Sequence, residues 1–204
     1  MTKEFPSVAI LEFRSIAAGI QSTDAMLKKS PIALIRSGTI TRGRYLTLAG
    51  GSTASVEEAY EEGIYWGAND VLDKIFLPDV HPEVFAAMFG ARNRSQNASL
   101  LVIESDSVAA NIRAAEAALK GTPVRLIELR MADEGLAGKG LSLFEGELYD
   151  IEEAARLGTA FLDRAGVGYH HRILTAPHEA LGRQVSATTK FHESTALNLG
   201  GEVG

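Results

Sequence analysis

The chain contains one sequence unit twice, and this duplication restricts the folds that it can adopt. Residues 7–35 and 99–127 align at a constant offset of 92 positions with 12 identities in 29 pairs, where composition alone would give about two. The offset becomes 95 from Gly43 and Gly138 onward, so the second copy has three extra residues between Ile127 and Gly138. The sequence therefore predicts two similar domains in tandem.

Each copy has the pattern of a small α/β domain. It begins with an apolar run of strand length, residues 8–13 and 100–105, followed by an Ala-rich stretch with apolar residues near helical spacing. Pro31 and Pro123 end these predicted helices and precede two further apolar runs around a Gly-containing turn. A second helix and a last strand follow, so the predicted order is β-α-β-β-α-β and the fold class is α/β (α+β).

Polar segments divide the chain into its predicted domains. The sequence ARNRSQNAS, residues 91–99, separates the two copies, and we place the first domain at residues 1–93 and the second at residues 94–185. Residues 186–204, SATTKFHESTALNLGGEVG, have the composition of a loose segment, which predicts a flexible C-terminal tail.

Composition argues against several classes of function. The formal charge is -6 without a block of basic residues, which argues against nucleic-acid binding. No apolar run approaches the length of a membrane span, and the first residues do not have the pattern of a signal peptide, so we expect a cytoplasmic protein that is not inserted in a membrane. The absence of cysteine excludes disulfides, thiolate metal sites and Cys nucleophiles.

No group of residues in the sequence has the pattern of a catalytic or metal site. His170 and His171 are adjacent on a predicted strand, so their side chains point to opposite faces and do not easily bind one ion. The acidic pairs Glu57-Glu58 and Glu152-Glu153 occupy matching helix positions and indicate a solvated helix face. We therefore predict no catalytic residues, no metal and no cofactor.

Several segments, in this order, resemble one known family. They are AILEFRSIAAGIQSTDAMLKKS, LVIESDSVAANIRAAEAALKG, RMADEGLAGKG, LFEGELYDIEEAA and APHEALGRQV. These segments resemble the bacterial microcompartment shell proteins, in particular the tandem-domain type of propanediol-utilising compartments, and the resemblance covers about residues 7–185.

The resemblance implies an architecture and a role. Each copy would be a bacterial microcompartment (BMC) domain with an antiparallel sheet related to the ferredoxin-like fold. Three chains would form a homotrimer, a pseudohexameric disc of six domains around a central pore for small metabolites. The disc would tile with hexamers and pentamers of other shell proteins in the microcompartment shell of the bacterial cytoplasm.

The resemblance also places pore loops between the second and third strands of each domain, residues 37–43 and 131–138. Some tandem shell proteins bind an iron–sulfur cluster through a Cys at the position of Thr41, and a hydroxyl is not a usual cluster ligand. Asp133 and Glu134 would bring two carboxylates per chain to the axis, against one Arg42; the alternative is an ordinary solvated turn. The predicted pore-lining residues are Ser37, Gly38, Thr39, Ile40, Thr41, Arg42, Ala132, Asp133, Glu134, Gly135, Leu136 and Ala137.

Lys28 and Lys120 occupy matching positions, and the resemblance implies that they lie at the edge where neighbouring discs meet. The alternative is that both are ordinary lysines at a helix C-terminus, where positive charge is favourable. The Arg that many relatives have just before the final Pro-His is missing, because this chain reads TAPH and PDVH.

Two other functions remain open from the residues alone. Duplicated α/β domains of this order also serve as small-molecule-binding regulatory modules. An enzyme with an active site between subunits is the second alternative, although no cluster of titratable residues indicates one.

Overall fold

The computed structural model of the protein describes residues 6–96 and 98–201. The elements of the first repeat are β1 (Ser7–Phe13), α1 (Ile16–Lys29), β2 (Leu34–Ile40), β3 (Arg44–Gly51), α2 (Thr53–Gly67), β4 (Val71–Leu77) and α3 (Pro82–Met88). Those of the second repeat are β5 (Ser99–Ser105), α4 (Val108–Gly121), β6 (Arg125–Met131), β7 (Gly140–Gly146), α5 (Leu148–Ala165), β8 (Tyr169–Leu174) and α6 (Glu179–Ala187). Short 3₁₀ turns lie at Thr41–Gly43, Ala68–Asp70 and Phe191–Glu193.

The two repeats form two four-stranded antiparallel sheets of the same topology. The strand orders are β2-β3-β1-β4 and β6-β7-β5-β8, as the ferredoxin-like arrangement requires. The first helix of each repeat begins at a matching serine, because Ser15 Oγ accepts from Ala18 N–H at 3.2 Å and Ser107 Oγ accepts from Ala110 N–H at 3.1 Å. The predicted fold class, two tandem domains with β-α-β-β-α-β order, is confirmed.

Each repeat also has a third helix that the sequence analysis did not predict. α3 and α6 follow the last strand of their repeats, and both begin at a histidine whose Nδ1 accepts a backbone N–H: His81 from Glu83, and His178 from Ala180. These helices have only seven and nine residues, which is shorter than the stretch over which helical periodicity is recognised in a sequence. The helix α6 continues to Ala187, two residues beyond the predicted end of the second domain.

One face of each sheet is covered by the two long helices of its own repeat. The opposite face of the first sheet, which includes Val8 and Ile10, belongs to the same buried cluster as Ile112 of α4. The helix α4 contacts both β1 and β4, and α3 contacts β6. The two domains of one chain are therefore joined by a continuous apolar core.

None of the helices in the described part of the chain is long and apolar enough to span a bilayer.

Candidate pore loops and assembly faces

The first predicted pore loop is shorter in the structure than in the sequence analysis. The β2–β3 ladder continues to the pair Ile40–Arg44, so Ser37, Gly38, Thr39 and Ile40 belong to strand β2. The turn itself is Thr41–Gly43, and Arg42 has a left-handed backbone with φ 69°. Arg42 is exposed, and a left-handed backbone is uncommon for a residue other than glycine.

The second predicted loop contains the three extra residues of the second repeat. Lys139 matches Arg44, so residues 133–138 correspond to Thr41–Gly43 of the first repeat. Ala132 and Ala137 have left-handed backbones with φ 51° and 48°. The side chain of Ala132 is fully buried, whereas Glu134, Gly135 and Ala137 are exposed and Leu136 is partly exposed.

Thr41 joins the two loops within one chain. Its N–H and its hydroxyl both donate to the carbonyl oxygen of Ala132, at 3.0 and 2.6 Å, and its hydroxyl accepts the N–H of Gly138 at 2.9 Å. Arg44 Nη1 donates to the Gly138 carbonyl at 3.1 Å. The structure therefore brings both predicted loops together, and it gives Thr41 a structural role that the sequence analysis missed.

The two adjacent acids of the second loop have different environments. Asp133 accepts from Nε and Nη2 of Arg130, the shortest distance being 2.6 Å, and its Oδ2 lies 3.8 Å from Lys190 Nζ. The Glu134 side chain is exposed, while its backbone carbonyl accepts from Arg130 Nη2 at 2.7 Å. Two cations therefore compensate the charge of Asp133, and Glu134 carries the free charge of this loop.

The two lysines predicted at the disc edge also differ. Lys28 is exposed and pairs with Asp24 on its own helix at 2.5 Å. Lys120 donates to the Asp79 carbonyl at 2.5 Å and lies 2.8 Å from the buried carboxylate of Glu116. Lys120 thus lies at the seam between the two domains of the chain, where 45% of its side chain is exposed, while the Lys28 side chain is 73% exposed.

A buried carboxylate connects the first sheet to the second domain. Glu12 on β1 is fully buried, lies 2.6 Å from Arg44 Nη1, and accepts the N–H of Val108 at 2.9 Å. It therefore satisfies an unpaired N–H of the first turn of α4, where negative charge is favourable. Burial raises the pKa of Glu12 above its ordinary value, and the cation Arg44 partly opposes this shift.

The chain buries one copy of an apolar helix face and exposes the other. On α4 the residues Val108, Ile112 and Leu119 are buried against the first domain. Their counterparts on α1 at the same alignment offset are Ile16, Ile20 and Leu27, and all three are exposed. The contrast is largest for Ile20, which is 54% exposed while Ile112 is 0% exposed.

The third helices show the same asymmetry. Val84 of α3 is fully buried, whereas its counterpart Leu181 of α6 is 42% exposed. The structure thus contains an unpartnered copy of the face that joins its two domains.

No group of three or more His, Asp or Glu residues within residues 6–96 and 98–201 has the geometry to bind a metal ion. His170 and His171 lie next to each other on β8, as the sequence predicts.

Comparison with known proteins gives a consistent result. The BMC domain family matches residues 7–80 and 99–177. The chain is 31% identical over 179 residues to the bacterial microcompartment shell protein PduT of Citrobacter freundii, which covers 88% of this chain and 97% of PduT. It is 24% identical over 185 residues to the carboxysome assembly protein CcmO of a Synechocystis strain, covering 84% of this chain and 61% of CcmO.

Solved structures agree with this assignment. A microcompartments protein from Desulfitobacterium hafniense DCB has 32% identity and a TM-score of 0.75, with coverage of 87% of this chain and 98% of that protein. The fused permuted hexameric shell protein MSM0275 shares the fold at 19% identity and a TM-score of 0.55, covering 78% of this chain and 85% of that protein. The chain belongs to the BMC-domain family, and with two copies of that domain it is a structural shell protein of a bacterial microcompartment.

Proposed function

We propose that the protein assembles as a homotrimer in which six domains surround a central pore for small metabolites. The observation that carries this proposal is the exposed apolar face of α1, whose counterpart on α4 is buried inside the same chain. A face of this composition is stabilised by removal from water. The partner that fits is a second copy, because its second domain repeats the surface that α4 covers on the first.

The second domain has the receptor residues for such a contact. Glu104 and Lys139 on its sheet occupy the positions of Glu12 and Arg44, and they form an ion pair at 3.2 Å. Ser15 at the start of α1 occupies the position of Ser107 beside Glu12. The N-terminus of α1 from one chain would therefore meet Glu104 of the next, as the N-terminus of α4 meets Glu12 within one chain.

Repetition of this contact generates a ring. The interface joins unlike surfaces, so each chain provides α1 on one side and the second sheet on the other. The resemblance to tandem shell proteins supports a ring of three chains. In this ring, the turn Thr41–Gly43 and residues 134–137, the exposed and partly exposed part of the second loop, line the axis, and both contribute three times.

The role we propose is structural and selective, without catalysis. The domain boundary at residue 93 separates the two ring positions. Lys28 and Lys120 lie toward the disc edge, where hexamers and pentamers of other shell proteins would pack. The pore residues Arg42 and Glu134 are the exposed charges that a passing metabolite would meet.

Negative-stain electron microscopy combined with light scattering tests this function. We expect discs with a mass of three chains, and sheets at higher concentration. A monomer at micromolar concentration with no concentration dependence would overturn the trimer and, with it, the pore.

A further inference from the structure

The chain after α6 returns to the second sheet and packs near the second loop. Thr188 is buried, its hydroxyl accepts the N–H of Lys190 at 3.0 Å, and it lies 3.1 Å from Glu193 Oε2. Glu193 also lies 3.1 Å from Lys190 Nζ. Residues 188–193 therefore form a compact turn with its own polar contacts, inside the segment that the composition predicts to be flexible.

The hydroxyl of Thr189 connects this turn to two buried charges on β6. It donates to Glu128 Oε2 at 2.6 Å and accepts from Arg130 Nη1 at 3.2 Å. Both Glu128 and Arg130 are less than one-tenth exposed, and Glu128 is also paired with Arg92. A hydroxyl is suited to this place because it serves as donor and acceptor at once.

The same arginine holds the second loop. Arg130 binds the carboxylate of Asp133 through two nitrogens and the carbonyl of Glu134 through Nη2. Lys190 lies 3.8 Å from the other side of the Asp133 carboxylate. Contacts from residues 188–193 therefore fix one end of the loop, and Thr41 fixes the other end through Gly138.

Within its described residues, 6–93, the first domain has no such arrangement. The residues that match Glu128 and Arg130 in the strand register are Arg36 and Gly38, and they line an open groove of about 240 Å³. The loop of the first domain has three residues, and that of the second has three more. The segment 188–193 is thus present on the domain whose loop is longer.

We propose that residues 188–193 act as a brace that positions the second pore loop, with Thr189 and Lys190 as the positioning residues. The brace orders the loop through Arg130 and Asp133 and leaves Glu134 as the only acid of the pair that is free to face a solute. The brace positions the second loop within one chain, whereas its effect on the passage of metabolites rests on the proposed pore.

The test is hydrogen–deuterium exchange of the full-length protein and its variant Thr189→Val. The amides of Leu136, Gly138 and Lys139 are the reporters, because each donates a hydrogen bond within the loop or to Thr41. We expect their exchange to accelerate about tenfold in Thr189→Val, with the amides of α4 unchanged. Thr189→Ser keeps the hydroxyl and should restore the wild-type rates.

Phe191→Ala is the matched control, because this side chain lies in the same turn and is 94% exposed. Wild-type loop exchange in folded Thr189→Val, or equal acceleration in Phe191→Ala, would overturn the brace. If Thr189→Val does not fold, Lys190→Met replaces it, and we expect the same acceleration of exchange at the loop amides. Wild-type exchange in Lys190→Met, or equal acceleration in Phe191→Ala, would then overturn the brace. If the protein is monomeric but the loop amides of Thr189→Val exchange faster as expected, the trimer is refuted and the brace is supported. The two proposals therefore fail separately.

Discussion

The hydroxyl of Thr41 and the carbonyl of Ala132, which belong to different domains, form a hydrogen bond of 2.6 Å across the two loops. The same hydroxyl accepts the N–H of Gly138. One side chain therefore satisfies two backbone groups of the second loop. Because buried backbone groups are costly to leave unpaired, the two loops behave as one unit.

Replacement of Thr41 by Val should loosen this unit. The valine side chain has a similar shape but neither donates to Ala132 nor accepts from Gly138, while the backbone N–H of residue 41 still donates to Ala132. We expect the free energy of unfolding to fall by about 1–3 kcal/mol, because the Gly138 N–H loses its acceptor. Urea unfolding followed by circular dichroism measures this loss. Thr39→Val, on the exposed side of β2, is the control and should change stability by less than about 0.5 kcal/mol. Equal stabilities of Thr41→Val and wild type would contradict the prediction.

Replacement of Ile20 by Asp should break the ring. The variant would place an unpaired carboxylate in the proposed interface between chains. In the equivalent contact within one chain, Ile112 is fully buried, and burial of an unpaired charge is strongly unfavourable. We expect the dissociation constant of the trimer to rise at least about 100-fold, measured by sedimentation velocity.

Tyr149→Asp is the matched control for the ring. Tyr149 is exposed, and so is its counterpart Ala54, so neither interface buries this position. A trimer that persists in Ile20→Asp would show that α1 does not form the interface.

Lys28→Asp should prevent sheet formation while the trimer persists. Lys28 is an exposed member of a surface ion pair, and such a pair contributes only about 0–1 kcal/mol to a fold or a subunit contact. In the proposed sheets, a contact between discs would recur along each edge, so reversal of one charge there would act at every contact. Electron microscopy should show discs without sheets, and Lys28→Arg should retain sheets. If Lys28→Asp forms sheets of normal extent, Lys28 does not act at the disc edge and is an ordinary charge at the end of a helix.

The buried carboxylate of Glu12 should make the free energy of unfolding depend on pH. Because burial raises its pKa above 4.5 in the folded chain, the folded state binds this proton more tightly than the unfolded state. The stability contributed by Glu12 is therefore complete below about pH 4.5 and is lost as the pH rises through the raised pKa. Glu12→Gln removes this titration and keeps an oxygen that can accept the Val108 N–H.

We expect the free energy of unfolding of Glu12→Gln minus that of the wild type to increase from about pH 4.5 upward. Urea unfolding at a series of pH values measures this difference. A difference that is constant or decreases with pH would refute the assignment to Glu12.

Glu134→Gln should raise the passage of anions relative to neutral solutes. The exposed carboxylate of Glu134 repeats three times in the proposed pore, whereas Asp133 is already paired with Arg130 and Lys190. We expect the anion-to-neutral flux ratio across planar bilayers to rise about three- to tenfold in Glu134→Gln. Asp133→Asn should change this ratio less. An unchanged ratio in Glu134→Gln would mean that the acid does not face the passage.

The sequence by itself determined the duplication, the strands and the long helices. The strands and long helices depend on local periodicity, so the sequence of one repeat predicts them, and comparison of the two copies reveals the duplication. The spacing of Arg130 and Asp133, three positions apart, also lies within reach of a sequence argument.

Only the tertiary structure decided how the loops and the tail are held. Thr41 and Ala132 are 91 positions apart, and Thr189 and Glu128 are 61 apart, so their contacts depend on how whole domains pack. It also decided that Asp133 is paired while Glu134 is exposed, although the two are adjacent in sequence. Composition assigns both the same charge, but the charge that a solute meets depends on the cations that the fold places beside each carboxylate.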